Sequence, residues 1–161
     1  METVYFDTLQ FLYHLALAIL VGGALALGAA AAPAIFASVR SRGEAGAIFG
    51  AVLGRYDGLA ILCVVLIVVT SVLKATAFEV TGVPETRLVV RWIALLVLCG
   101  ATLYSSAWAS PVARSIRAQT PGWDDLGDGA PMRREFQSLH RSSRRAMTVA
   151  IVAGVVAMFL S

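Results

Sequence analysis

Four apolar runs, at about Leu9 to Phe36, Gly58 to Phe78, Leu88 to Ala109 and Ala146 to Leu160, limit what this chain can fold into. Crossing a hydrocarbon core ~30 Å thick takes roughly 20 such residues as helix. The sequence therefore reads as all-α: an integral membrane four-helix bundle forming a single membrane domain over residues 1–161. Spans are expected at about 9–36, 58–78, 88–109 and 139–160. The fourth run is short for a full crossing, so its helix is extended back through Arg145 and His140, with the arginines snorkelling to the headgroups.

Charge between the runs sets the orientation, because insertion reads Lys and Arg in short loops and largely ignores Asp and Glu. Of the 13 basic residues, Arg40, Arg42 and Arg55 follow the first run, and Arg114, Arg117, Arg133, Arg134, Arg141, Arg144 and Arg145 follow the third. The opposite side holds only Lys74, Arg87 and Arg91, all near helix ends where long side chains can snorkel. Both termini are thus expected outside (N-out/C-out), with loops 37–57 and 110–145 cytoplasmic in a bacterial inner membrane. The stretch from Met132, with Phe136 and Leu139 at helical spacing against Arg133, Arg134, Arg141 and Arg144, reads as a basic amphipathic cytoplasmic lead-in to the fourth helix.

A composition of 58% hydrophobic and 14% charged residues falls outside the soluble globular balance. The net charge of +3 raises a nucleic-acid partner, but the excess sits at membrane boundaries without an aromatic-interleaved basic face, so none is expected. Anionic lipid headgroups are the expected partner. The first run is read as a retained helix rather than a secretory signal: its leader is acidic (Glu2, Asp7), its apolar stretch is too long, and Pro33 to Phe36 continue the apolar pattern. Cys63 and Cys99 lie inside apolar runs without a CxxC or Cys/His neighbour, and read as small buried side chains.

Small residues mark the expected helix contacts. Gly22, Gly23, Ala24, Ala26, Gly28 and Ala29 to Ala32 make the inner half of helix one a surface another backbone can approach. Pro33 should kink or end that helix. Gly46, Gly50, Gly54 and Gly58 recur every four residues and form one glycine ridge, expected to receive a neighbouring helix. Trp92 and Trp108 bracket helix three. Pro121, Gly122, Asp124, Asp125, Gly127, Asp128, Gly129 and Pro131 make the following stretch a loop. The halves echo one another, Pro33 preceding Arg40 and Arg42 as Pro111 precedes Arg114 and Arg117, as two parallel hairpin repeats would.

Ionisable groups at membrane depth are functional candidates because they are costly there. They are His14, Asp57 and His140, with Arg55 and Arg91 at the edges. His14 and His140 fall ~20 Å or more apart in depth at helical rise, too far to clamp one haem or metal within a protomer. Asp57 beside Arg55 suits a helix start, where an acid is favoured, or a pairing with the basic lead-in to helix four. No nucleophile with a base, phosphate-cradling loop or zinc motif is present.

His14 with Gly22-Gly23, then Ala32-Pro33-Ala34-Ile35-Phe36, Ala45-Gly46, Phe49-Gly50 and Arg55-Tyr56, and finally Phe136, Leu139, His140 and Ser143, together resemble the DUF4149 or TMEM205-like family of small four-helix membrane proteins. The His and Gly-Gly of helix one are also similar, more distantly, to the membrane domain of CopD-like copper-resistance proteins. The resemblance implies fold more than activity. The sequence expectation is a non-enzymatic multi-pass membrane protein handling a small solute or metal, with His14, Arg55, Asp57 and His140 as ligand-binding candidates and no cofactor. The alternatives are an accessory subunit of a larger membrane complex, or a homo-oligomer, packing through its small-residue surfaces, and a haem or metal redox protein.

Overall fold

The computed structural model describes residues 2–80, 82–127 and 129–161; Asp128 of the turn-rich loop lies outside them. The described residues are helical, without strands, and four helices are long and apolar enough to cross a membrane: α1 (Thr3–Ser38), α2 (Arg42–Glu79), α3 (Thr86–Gln119) and α4 (Pro131–Phe159).

Each helix outlasts its apolar run. At ~1.5 Å rise per residue, the 38 residues of α2 span almost twice a ~30 Å hydrocarbon core. Most of the expected loop 37–57 is therefore helix. Ser41, in an extended conformation, starts it, its hydroxyl accepting the Glu44 N–H at 3.0 Å. The expected loop 110–145 shrinks likewise, because Ser110–Gln119 continues α3 and α4 runs unbroken from Pro131. What remains between them turns on Gly122, at φ 62°, ahead of a short 3-10 turn, Trp123–Asp125. Glycine adopts that left-handed conformation without steric cost.

Helix α1 passes through Pro33 rather than ending there. A π-helical turn, Leu27–Ala31, lies just before it, and a second, Tyr104–Ala109, lies just before Pro111 in α3. A proline ring clashes with the carbonyl four residues back, which is Ala29 for Pro33 and Ala107 for Pro111. Both carbonyls fall inside the widened turns. The i→i+5 register of a π turn gives the ring room, so the helix continues. The echo between the two hairpins thus extends to this device.

The core is concentrated in one half of the structure. Tyr13, Leu17 and Leu20 of α1 meet Cys63, Val64 and Ile67 of α2, Leu95 and Leu98 of α3, and Ala153 and Ala157 of α4. Gly154 makes this packing possible: a Cβ there would stand 2.5 Å from Val21 Cγ2 and 2.8 Å from Leu98 Cδ1. At the same end, Arg87 donates to the carbonyls of Leu160 (3.2 Å) and Phe159 (3.4 Å), and Ser161 reaches the Tyr13 hydroxyl at 3.4 Å.

The other half is open. Past its π turn α1 leans chiefly on α2, and no residue of Leu27–Ser38 is buried. The Ser110–Gln119 end of α3 instead packs on α4. The two hairpins part between these contacts.

Candidate functional site

The parting of the hairpins leaves a cavity of about 1070 Å³. Its inner walls are largely apolar, with Ala24 and Leu27 of α1, Leu53 of α2 and Met147 of α4, and carry Tyr56 of α2, Ser105 and Ser110 of α3 and Ser143 of α4. The lining also carries Arg42 from the first turn of α2, Arg114 and Arg117 from α3, and His140 and Arg144 from α4. No lining residue is acidic.

The glycine ridge explains how the arginines fit. Arg114 and Arg117, three apart on α3, share a face and lie along Gly46, Gly50 and Gly54 of α2. A Cβ on Gly46 would stand 2.5 Å from Arg117 Nη1, and one on Gly54 3.6 Å from the Arg114 guanidinium. The expected occupant of the ridge was a helix backbone; it receives two arginine side chains instead. Gly58 has drifted off this face and meets nothing, as four-residue spacing overshoots a helical turn. Arg117 also donates to the Gly43 carbonyl at 2.6 Å.

Asp57 is 3% exposed and accepts from Arg114 Nη1 at 2.6 Å through Oδ2. Its Oδ1 makes no hydrogen bond, although the Ser106 hydroxyl lies beside it, also without a hydrogen-bond partner. Next to this pair the hydroxyls of Ser105, Ser143 and Ser110 are linked at 2.8 and 3.0 Å. The π turn of α3 puts Ser105, Ser106 and Ser110 all on the buried side. Toward the mouth, Trp123 sets its ring against Phe136 (centroids 5.1 Å), and Phe136 stacks on His140 (5.9 Å, 3°).

Positive charge predominates in the cavity lining, with the Asp124 carboxylate standing just outside it against Gly43. The carboxylate of Asp57 answers Arg114. The guanidinium groups of Arg42 and Arg144 form no hydrogen bond or ion pair with described residues.

A second polar cluster occupies the opposite end. Lys74 is 1% and Arg91 5% exposed, so neither snorkels as its position near a helix end suggested. Both turn inward to Glu79, which is 3.4 Å from Lys74 and directly paired with Arg91. Lys74 also donates to Gln10 and lies over the Tyr13 ring, 4.9 Å from its centroid. Lys74 and Glu79 are five residues apart, which ideal α-helix would splay by ~140°. The π turn Ala75–Glu79 brings them together.

The four sequence candidates are therefore divided. His14 is half-buried at the Lys74 end, its Nε2 3.5 Å from Gln10 Nε2. His140 is in the cavity wall. Asp57 sits fifteen residues inside α2 rather than at a helix start, and its partner is Arg114, not Arg55 or the lead-in to α4. Arg55 is exposed, beside Asp57 in sequence but outside the cavity lining. Gly23 faces the Tyr56 ring, 2.7 Å from where its Cβ would be, and Gly22 faces open space. Among the described residues no three His, Cys, Asp or Glu side chains gather where a metal could be held. Sequence reasoning missed Arg114 and Arg117 as cavity residues, Gly154 as the tight helix contact, and the Lys74–Glu79–Arg91 cluster. The i, i+3 spacing of the two arginines after Pro111 was the one available signal.

The pattern of a family described as a domain of unknown function (DUF4149) matches residues 15–121, and the chain belongs to that family. The matched segment carries α1, α2 and α3, with the glycine track and the two arginines laid on it. No curated protein and no solved structure matches the chain.

Proposed function

We propose that this DUF4149 protein is a non-enzymatic membrane protein that binds a small anionic solute in the arginine-lined cavity. One observation carries the reading: four arginines line the cavity with no acidic residue in its lining, and among the described residues only Arg114 of the four is paired with a carboxylate, while the Asp124 carboxylate stands outside the lining against Gly43. Arg114 and Arg117 are half-buried and Arg42 and Arg144 exposed, so the concentration of positive charge beside apolar walls, rather than a buried unpaired cation, favours an anion. Its volume is at the top of the ~300–1,000 Å³ range of small-molecule sites.

The arginine asymmetry of the loops favours a four-helix bundle in a bacterial inner membrane with both termini outside and the cavity at the cytoplasmic face. Single cysteines placed at Gly127 and at Gly82 in a variant lacking Cys63 and Cys99 test this. An impermeant thiol reagent added to intact cells should label the Gly82 site alone. The solute reading is tested by calorimetry of the purified protein with a short alkyl phosphate. Binding should weaken about tenfold when Arg117 becomes Gln, and unchanged binding would remove the arginines from the site.

An accessory-subunit reading has one observation in its favour: the small residues of α1 from Gly28 to Ala30 face outward, uncovered by the rest of the chain. Gentle purification with a stoichiometric partner would support it. A haem held by both histidines has no support, since His14 and His140 occupy opposite ends. The TMEM205-like and CopD-like likenesses rest on short motifs and add nothing to this reading.

A further inference from the structure

The cavity has a direction. Its deepest lining, Ala24, Leu27, Tyr56 and Met147, lies where the apolar runs begin, next to the closed core. Arg42 and Arg117 lie farther out along the helices: Arg42 is fourteen residues from Tyr56 on α2, ~20 Å at helical rise, whereas Arg144 is three residues from Met147 and Arg114 pairs with Asp57 beside Tyr56. Arg117 opposes Gly46 at an intermediate level. Going outward from the membrane centre, the cavity is largely apolar first, with the Ser105, Ser110 and Ser143 hydroxyls in its wall, and ends at the cationic pair Arg117 and Arg42. A lipid of the adjoining leaflet has that same polarity, acyl chain inward and charged head outward.

The cavity also has a side open to lipid. The α1 wall, Leu27–Ser38, is apolar over nearly its whole length, has no buried residue, and packs chiefly on α2 among the long helices. Phe36 is 48% exposed at its end. An acyl chain entering past this wall would cover apolar surface that the protein leaves bare.

Resting on the anion-binding reading above, we propose that the ligand of this site is an acyl-chain-bearing oxyanion, with its phosphate or carboxylate on the arginines and its chain along Leu27 and Leu53. The head sits at the outer end on Arg117 and Arg42, neither of which is paired with a carboxylate among the described residues, although the Asp124 carboxylate stands against Gly43 nearby. Two sources supply this chemistry, an anionic phospholipid of the leaflet and a free fatty acid. The cavity walls suit either.

Native mass spectrometry of the protein released from phosphatidylcholine bilayers distinguishes the outcomes. The bilayers are doped in turn with phosphatidylglycerol, with a long-chain fatty acid, or with glycerol phosphate in the aqueous phase. The wild-type protein should retain one phosphatidylglycerol or one fatty acid in preference to phosphatidylcholine, and whichever is retained identifies the source. The double variant Arg42→Gln, Arg117→Gln removes the two outer arginines, neither of them paired with a carboxylate among the described residues; it should lose retention about tenfold or more. Leu27→Trp, which fills the chain end and leaves every arginine, should lose it as well. Equal retention of phosphatidylcholine, or retention indifferent to these variants, means annular lipid only and overturns the proposal. Glycerol phosphate retained as well as the acyl anions overturns it too, while leaving the anion site standing. If no anion is retained, both readings fail.

Discussion

Arg114 donates to Asp57 across 2.6 Å, yet the two side chains are unequally buried, 32% of Arg114 being exposed against 5% of Asp57. The arginine borders the cavity and keeps a route to water. The carboxylate has none, and one of its oxygens already makes no hydrogen bond.

Removing either partner should therefore have unequal cost. Arg114→Gln leaves a buried carboxylate without a counter-charge and should destabilise by about 3 kcal/mol or more. Asp57→Asn keeps an acceptor for a guanidinium that reaches the cavity, and should cost roughly half as much. The double variant should be less destabilised than the sum of the two. Unfolding in mixed micelles by titrated anionic detergent gives all three values, and equal losses for the two single variants would contradict the asymmetry.

At Gly154 the space for a side chain is already filled by Val21 and Leu98. Gly154→Ala should cost about 1–3 kcal/mol through overpacking, and Gly154→Leu should prevent folding. Gly100→Ala is the control, since nothing lies within 4 Å of a Cβ there. It should be neutral or stabilise by a few tenths to ~1 kcal/mol through helix propensity. Melting temperatures in detergent separate the two positions.

Glu79 serves two buried cations at once. Glu79→Gln leaves Lys74 and Arg91 facing each other without a carboxylate and should destabilise by about 3–5 kcal/mol. Lys74→Met removes one cation, keeps the Glu79–Arg91 pair and packs its chain against Tyr13 and Phe6, so its cost should be clearly smaller. A larger loss for Lys74→Met, read by the same detergent unfolding, would show that the cluster is not organised around the carboxylate.

The Tyr56 hydroxyl donates to the Leu20 carbonyl at 2.6 Å, tying α2 to α1 ahead of the π turn where α1 leaves the core. Tyr56→Phe should cost about 1 kcal/mol in stability. Because the bond holds α1 at Leu20, seven residues before the open wall, hydrogen exchange from Leu20 to Ala31 should quicken more than exchange at Leu9–Tyr13. Uniform change across α1 would place the bond's effect elsewhere.

The candidate site was legible in parts. Asp57 stood out because ionisable residues are scarce in apolar sequence, and the glycine ridge stood out by its spacing. What each one meets was not legible. Arg114 lies 57 residues from Asp57, and local reading offered the neighbouring Arg55 instead. Lys74 and Arg91 read as ordinary helix-end residues, because a snorkelling side chain and one turned inward to a shared carboxylate have the same sequence.

By itself the sequence determined the number, place and helical nature of the apolar spans, since in lipid the span length and the hydrophobicity needed are set by the solvent and written locally. Only the tertiary structure decided that two hairpins close at the Lys74 end and part at the Arg114 end. That choice depends on where prolines widen α1 and α3, and on which side chains Gly46, Gly54 and Gly154 admit. Those are contacts between helices, and residues distant in the chain set them together.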